Sequence, residues 1–258
     1  TKTPTGGDGL LIYGFEIDGI RLTDNTAFTV PAIPSIASTV RANPSAGFSI
    51  VSYTGSSSAA TVGHGLNAAP GMIIVKDRDS GSWNWQVAHS GIGADDSLLL
   101  NDSSATADYN AWNNTRPTSS VFSLGGGISG VSTNGNAHIA YCFAPVEGYS
   151  AFGSYEGNGV ADGPFVFTGF KPAFLLTKWI DGNDQWNIYD VKRSTFNVTD
   201  DILRPNYDYG ENSDSAVDAI DILSNGFKIR SSNQNINAAS TYIYYAVASH
   251  PFKTSRAR

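Results

Sequence analysis

Cysteine is almost missing. Cys142 stands alone in 258 residues, so no internal disulfide can form and a thiolate zinc site has no ligand set. It sits in the apolar run Ile139-Ala140-Tyr141-Cys142-Phe143-Ala144, where a buried small hydrophobe is expected rather than a reactive thiol. Charge is also scarce, at 15% of residues. This does not mean disorder, because aromatics make up 12% and are spread along the chain. The 16 Lys and Arg residues are scattered singly in a chain of net charge −7. A phosphate backbone needs a basic stripe, so no nucleic-acid partner is expected. No run of 18 apolar residues occurs, so no membrane-spanning helix is expected. The opening Thr1-Lys2-Thr3-Pro4 has no Met and no signal-peptide pattern, as in a processed chain or a piece of a longer one.

Catalytic patterns are missing too. His64, His89, His138 and His250 have no metal-ligand spacing. No Gly-x-Ser-x-Gly elbow lies between a strand and a helix. Glutamate is limited to Glu16, Glu147, Glu156 and Glu211, and a pair of carboxylates opposed across a cleft for glycoside hydrolysis is not evident.

An internal duplication is present. Ser52-Tyr53-Thr54-Gly55 recurs as Ser154-Tyr155-Glu156-Gly157. Pro70-Gly71-Met72-Ile73-Ile74-Val75-Lys76 recurs as Pro172-Ala173-Phe174-Leu175-Leu176-Thr177-Lys178. Trp85-Gln86-Val87 recurs as Trp186-Asn187-Ile188, Phe122 as Phe227, and Ile139-Ala140-Tyr141 as Ile243-Tyr244-Tyr245. The order is kept and the offset stays between 101 (Trp85 to Trp186) and 105 (Phe122 to Phe227). His89 falls where the second copy has Asp190.

Each copy reads as short strands rich in β-branched and aromatic residues, separated by Gly, Asn, Asp and Ser clusters. The continuous apolar runs Met72 to Val75 and Phe174 to Leu176 predict central strands covered on both faces. Asp18-Gly19 and Asn225-Gly226 predict hairpin turns. Asp218 to Leu223 has the only trace of helical periodicity and is too short to insist on. The expected fold is all-β, with two tandem antiparallel, jelly-roll-like β-sandwich domains over 46–149 and 150–254. Residues 1–45 are expected to form a hairpin arm and Pro-rich linker, and 255–258 a tail. A lone hairpin is marginal in water, so the arm is expected to pack on another subunit or on a preceding module.

Gly169-Phe170-Lys171-Pro172, Leu175-Leu176-Thr177-Lys178, Gly226-Phe227-Lys228-Ile229 and Tyr242-Ile243-Tyr244-Tyr245-Ala246 resemble a repeat of tailed-phage virion proteins, particularly of marine and cyanobacterial phages. The first copy departs from it at Gly65-Leu66-Asn67-Ala68-Ala69-Pro70, which is two residues longer. Tyr13-Gly14-Phe15-Glu16-Ile17-Asp18-Gly19-Ile20-Arg21-Leu22-Thr23-Asp24 is similar to an element that closes a concanavalin-like lectin module in the same proteins. The resemblance implies a virion location, a homo-oligomer (a trimer) and contacts with other virion proteins; no catalysis is expected, because the two copies share no polar constellation. It also implies that the chain is the C-terminal part of a longer protein.

Asp77-Arg78-Asp79 and Asp181-Gly182-Asn183-Asp184 follow the same strand in the two copies. Oxygen ligands gathered in a loop can hold calcium, so Asp77, Asp79, Asp181 and Asp184 are its candidate ligands, although the spacing of an EF-hand is missing. Solvated turns, with no metal or other cofactor, are the expected reading. Trp83, Trp112 and Trp179 have no counterpart in the other copy and are candidates for ligand contact. Trp85, Trp186, Phe122, Phe227, Tyr141 and Tyr245 recur and are expected in the core. Asn101, Asn113 and Asn197 begin Asn-x-Ser/Thr sequons, which matter only in a eukaryotic secretory setting. Three functions compete: a virion surface decoration, fibre or tail-associated module; a lectin-like module that binds host surface glycans; and a polysaccharide-degrading tailspike-type enzyme. The first is expected.

Overall fold

A computed structural model describes residues 15–17, 20–22, 33–208, 210–211 and 217–250. The 255–258 tail lies outside them. Contacts divide the chain into a unit over residues 1–31 and a second over 32–258. In the first, β1 (Phe15–Ile17) pairs antiparallel with β2 (Ile20–Leu22). Ile17 pairs with Ile20; the expected turn at Asp18-Gly19 lies outside the described residues.

The second unit is almost entirely antiparallel β-structure. The first copy contributes β3 (Ser38–Asn43), β4 (Phe48–Thr54), β5 (Ala60–Gly63), β6 (Met72–Asp77), β7 (Gln86–His89), β8 (Asp96–Leu99), β9 (Ala107–Asp108), β10 (Val121–Leu124) and β11 (Ala137–Phe143). The second copy contributes β12 (Ser150–Glu156), β13 (Phe165–Phe167), β14 (Pro172–Trp179), β15 (Trp186–Asp190), β16 (Ile220–Leu223), β17 (Gly226–Ile229), the short α1 (Gln234–Asn237) and β18 (Thr241–Ala248). The stretch Asp218 to Leu223 is therefore largely strand, because Ile220 and Ile222 alternate into the core beside β17. The turn of that hairpin is Ser224-Asn225 rather than Asn225-Gly226, since Leu223 pairs with Gly226.

The duplication holds strand by strand. The larger sheet of the first copy runs β3-β4-β11-β6-β7-β8-β9 and that of the second runs β12-β18-β14-β15. The order β4-β11-β6-β7 thus matches β12-β18-β14-β15. The smaller sheets match as well: Val62 pairs with Phe122 as Val166 pairs with Phe227. Side chains repeat too. Tyr53 stacks on His138 at 5.2 Å and Tyr155 on Tyr242 at 5.0 Å. Each tyrosine meets the core phenylalanine of its copy, Phe122 or Phe227, edge to face. Their hydroxyls donate to the carbonyls of Val131 and Ile236.

β6 and β14 are central strands, as their apolar runs predict. Ile73 and Val75 face the core of the first copy, which is closed by Val62, Phe122 and Leu124. Leu175 faces the core of the second, with Phe227, Ile229 and Tyr242. The alternate residues serve a third cluster in which Met72, Val87 and Leu98 pack on Leu176, Trp186 and Ile243. The two large sheets therefore lie back to back along an apolar seam, and each sandwich keeps its own core on the far side.

The seam revises the expected domain plan. Residues 32–258 form one compact unit and not two independent sandwiches. The expected linker is also partly strand: Ser38–Asn43 pairs with Phe48 to Tyr53 of β4, so the first copy begins before residue 46. Pro34 and its neighbours escaped notice as structure because they lie along β5, where Ser35 and Thr61 exchange hydrogen bonds.

The Ser-Tyr-x-Gly motif has a steric cause. A Cβ on Gly55 would stand 2.2 Å from the Thr133 carbonyl oxygen, and one on Gly157 2.0 Å from that of Ala238. Gly55→Ala and Gly157→Ala are each expected to cost about 1–3 kcal/mol in urea denaturation. Gly81→Ala, with nothing within 4 Å, should be nearly neutral. Equal losses at all three positions would refute the steric account.

Candidate functional site

The recurring lysines, and the aspartates that follow them, hold the segments after β6 and β14 in place. Lys76 Nζ donates to the carbonyls of Ser80 (3.1 Å) and Trp83 (2.5 Å). Lys178, fully buried, donates to the carbonyls of Trp179, Gly182 and Ser103. Burial brings its pKa down to about 8. Asp79 Oδ2 accepts from the Ala137 amide at 2.7 Å, and its counterpart Asp181 Oδ2 accepts from the Thr241 amide at 3.0 Å and the Ser240 hydroxyl at 2.6 Å. Asp77 accepts from the amides of Asp79 and Ser80 and from Asn136 Nδ2. Asp184 accepts from the Gln185 amide. These four carboxylates brace turns, and the described residues hold no group of three or more His, Cys, Asp or Glu placed to bind a metal. Among the described residues no helix is long and apolar enough to cross a membrane.

Three histidines are buried. His89 Nε2 lies 3.1 Å from the Tyr244 carbonyl across the seam, while Nδ1 accepts from the Gly91 amide at 3.0 Å. The ring is thereby neutral with its proton on Nε2, and burial lowers its pKa to about 4. His64 is held by the Thr118 carbonyl and the Leu66 amide. His138 donates from Nδ1 to the Asn136 carbonyl, and its Nε2 stands 3.7 Å from Asp77 Oδ2. Burial lowers both pKa values. Cys142 is fully buried, which raises its thiol to about 12.

The three unpaired tryptophans separate. Trp83 is exposed at 41%. Trp112 is not a surface contact: it is 3% exposed in the first core, with its indole N–H on Ser97 Oγ at 3.1 Å. The flanking Asn, Thr and Arg give no sign of this, because it is the fold that brings Trp112 against β8 and into the first core. Trp179 is half-buried, stacked on Tyr242 and donating to Ser240 Oγ. Among the residues expected in the core, Trp186, Phe122 and Phe227 are buried. Trp85, Tyr141 and Tyr245 are only half-buried. Trp85 stacks on Tyr141, while Trp186 enters the seam and donates to the Leu99 carbonyl at 2.9 Å.

The seam opens at one end into a pocket of about 290 Å³. Pro70, Gly71, Met72, His89, Arg116, Pro117 and Pro145 come to it from the first copy, with Phe152 from the first strand of the second. Gly71 is required there: a Cβ would stand 2.6 Å from the Phe152 ring. Sequence reasoning passed over Arg116 and Phe152, although the His89-for-Asp190 difference marked the region where the copies diverge. It also passed over Arg204 and Asp218, which pair at 2.7 Å. Asp218 is buried and joined to Asn235, which in turn bonds Asn187.

The molecule is thus a duplicated antiparallel β-sandwich whose shared residues are architectural. A family profile described as "Domain of unknown function (DUF7483)" matches residues 24–251, and the chain belongs to that family. The match takes in β3 and both copies as one block, in keeping with the common seam. No curated protein and no solved structure matches the chain.

Proposed function

We propose that the chain is a structural, non-catalytic subunit of a bacteriophage virion, a surface decoration, fibre or tail-associated module that works as a homo-oligomer, most simply a trimer, bound to other virion proteins. The observation that carries this reading is the outer surface of the second copy. On the edge strand β13, Val166 is buried while Phe165 and Phe167 are 46% and 64% exposed. Phe196, in the β15–β16 connection, is 85% exposed. Exposed aromatics on an open edge strand suit a protein–protein contact. The duplicated motif residues support it from the other side, since they brace turns and are not grouped around a reacting centre. The resemblance to phage virion repeats supplies the location.

Phe165→Ser combined with Phe167→Ser should leave the fold intact and lower the mass of the assembly in solution. Mass measured by light scattering that equals one chain for the unaltered protein would overturn the oligomer, and its absence from purified virions would overturn the location. Purified protein should release no sugar from bacterial surface polysaccharide. Turnover abolished by one Asp or Glu substitution would overturn the non-catalytic reading. A glycan-binding role is favoured by Trp83, exposed and two residues from the Trp85–Tyr141 stack; sugar binding lost in Trp83→Ala would support it.

A further inference from the structure

We infer that the pocket at the end of the seam is a binding site for a small monocarboxylate with a compact apolar body, held by Arg116. This goes beyond the assembly role and does not depend on it. The walls are apolar, from Pro70, Met72, Pro117, Pro145 and Phe152, and no carboxylate lines them. The one charged group is the Arg116 guanidinium. It is positioned from within the fold: Nη1 donates to the His89 carbonyl at 3.0 Å and Nη2 to the Ile92 carbonyl.

A guanidinium has five N–H donors, and these two bonds leave three. The ion pairs of the described residues engage His138, Arg193, Arg204, Lys228 and Arg230, and none engages Arg116. What sets Arg116 apart from the other cations without an ion pair among the described residues, such as Arg41 and Arg78, is its place on the lining of an apolar pocket. The neighbouring titratable group, His89, is neutral because both ring nitrogens are engaged, so it offers neither a competing anion nor a second cation. A fixed guanidinium with free donors accepts a carboxylate through two parallel hydrogen bonds. The proline, methionine and phenylalanine walls accept the apolar body, and a volume of about 290 Å³ limits it to a small molecule, at the lower end of ligand pockets.

The probe is phenylacetate, with phenylacetamide as its neutral analogue, titrated into the full chain by NMR in carboxylate-free buffer. Phenylacetate should bind about tenfold or more tightly than the amide. Arg116→Gln should remove that preference while the protein, somewhat less stable without the bonds to the His89 and Ile92 carbonyls, still melts in one cooperative transition. Ala69→Phe, at the exposed rim, should block both probes. Equal binding of the two probes, an unchanged preference in Arg116→Gln, or no binding up to the solubility of phenylacetate would each overturn the inference. Chemical-shift changes confined to Phe165 and Phe167 would do so as well, since they would place the probe on the proposed assembly surface.

Discussion

Trp186→Ala is expected to destabilise the protein by about 3–5 kcal/mol, the usual range for emptying a buried large aromatic site. Trp186 is 1% exposed and lies among Leu98, Leu176 and Ile243, so the cavity would open within the seam. It would also orphan the Leu99 carbonyl, which now accepts from the indole at 2.9 Å. The two copies are coupled through that seam, so the unaltered protein should unfold in one urea transition. Trp186→Ala should lower the midpoint and separate the transition into two steps, followed by fluorescence and circular dichroism together. Trp85 occupies the same position opposite the motif lysine but is half-buried, and Trp85→Ala should cost about 1–2 kcal/mol. Equal losses from the two substitutions would show that the seam does not distinguish the copies.

Acid should weaken the fold well above the pH at which carboxylates protonate. His89 has its pKa depressed from 6.5 to about 4 by burial. Below about pH 6.5 the unfolded chain takes up a proton that the folded chain refuses. Stability from this group is therefore complete above pH 6.5 and falls as the pH drops toward 4, by about 3 kcal/mol. His64 and His138 are depressed in the same direction and add to the loss. Asp77 has its pKa lowered by Asn136 and the turn amides against the opposing effect of burial, so it adds a further loss at lower pH. Urea denaturation at pH 7 and pH 4.5 measures the slope. His89→Gln retains a donor for the Tyr244 carbonyl and does not titrate, so its loss between the two pH values should be smaller. An identical slope in the two proteins would remove His89 as the source.

The proposed anion site and the acid response meet at β7. His89 holds Tyr244 across the seam, and its own carbonyl holds Arg116. A change at His89 should therefore disturb phenylacetate binding as well as stability, whereas Trp186→Ala, farther along the seam, bears on stability first.

Composition, alternation and repeat spacing determined a good deal. The apolar runs Met72 to Val75 and Phe174 to Leu176 predict strands covered on both sides, and they are. Tyr53 with Tyr155 and Phe122 with Phe227 recur because each copy closes the same core. What covered the second face of those strands was not written in any local pattern. The sequence contains two sets of alternating residues, and only the tertiary arrangement decided that one set packs inside each sandwich and the other across the seam. The same applies to the tryptophans. Trp112 looks free beside Asn113 and Asn114 yet is buried, because the fold brings its loop against β8 and the first core. Trp85 and Trp186 read alike and differ, because only one lies where the other copy's sheet is opposite it. Arg116 is one isolated cation among many in the sequence. It became a site only when the end of the seam brought apolar walls around it, since a cavity is made by residues distant in the chain while sequence pattern reports mainly on neighbours.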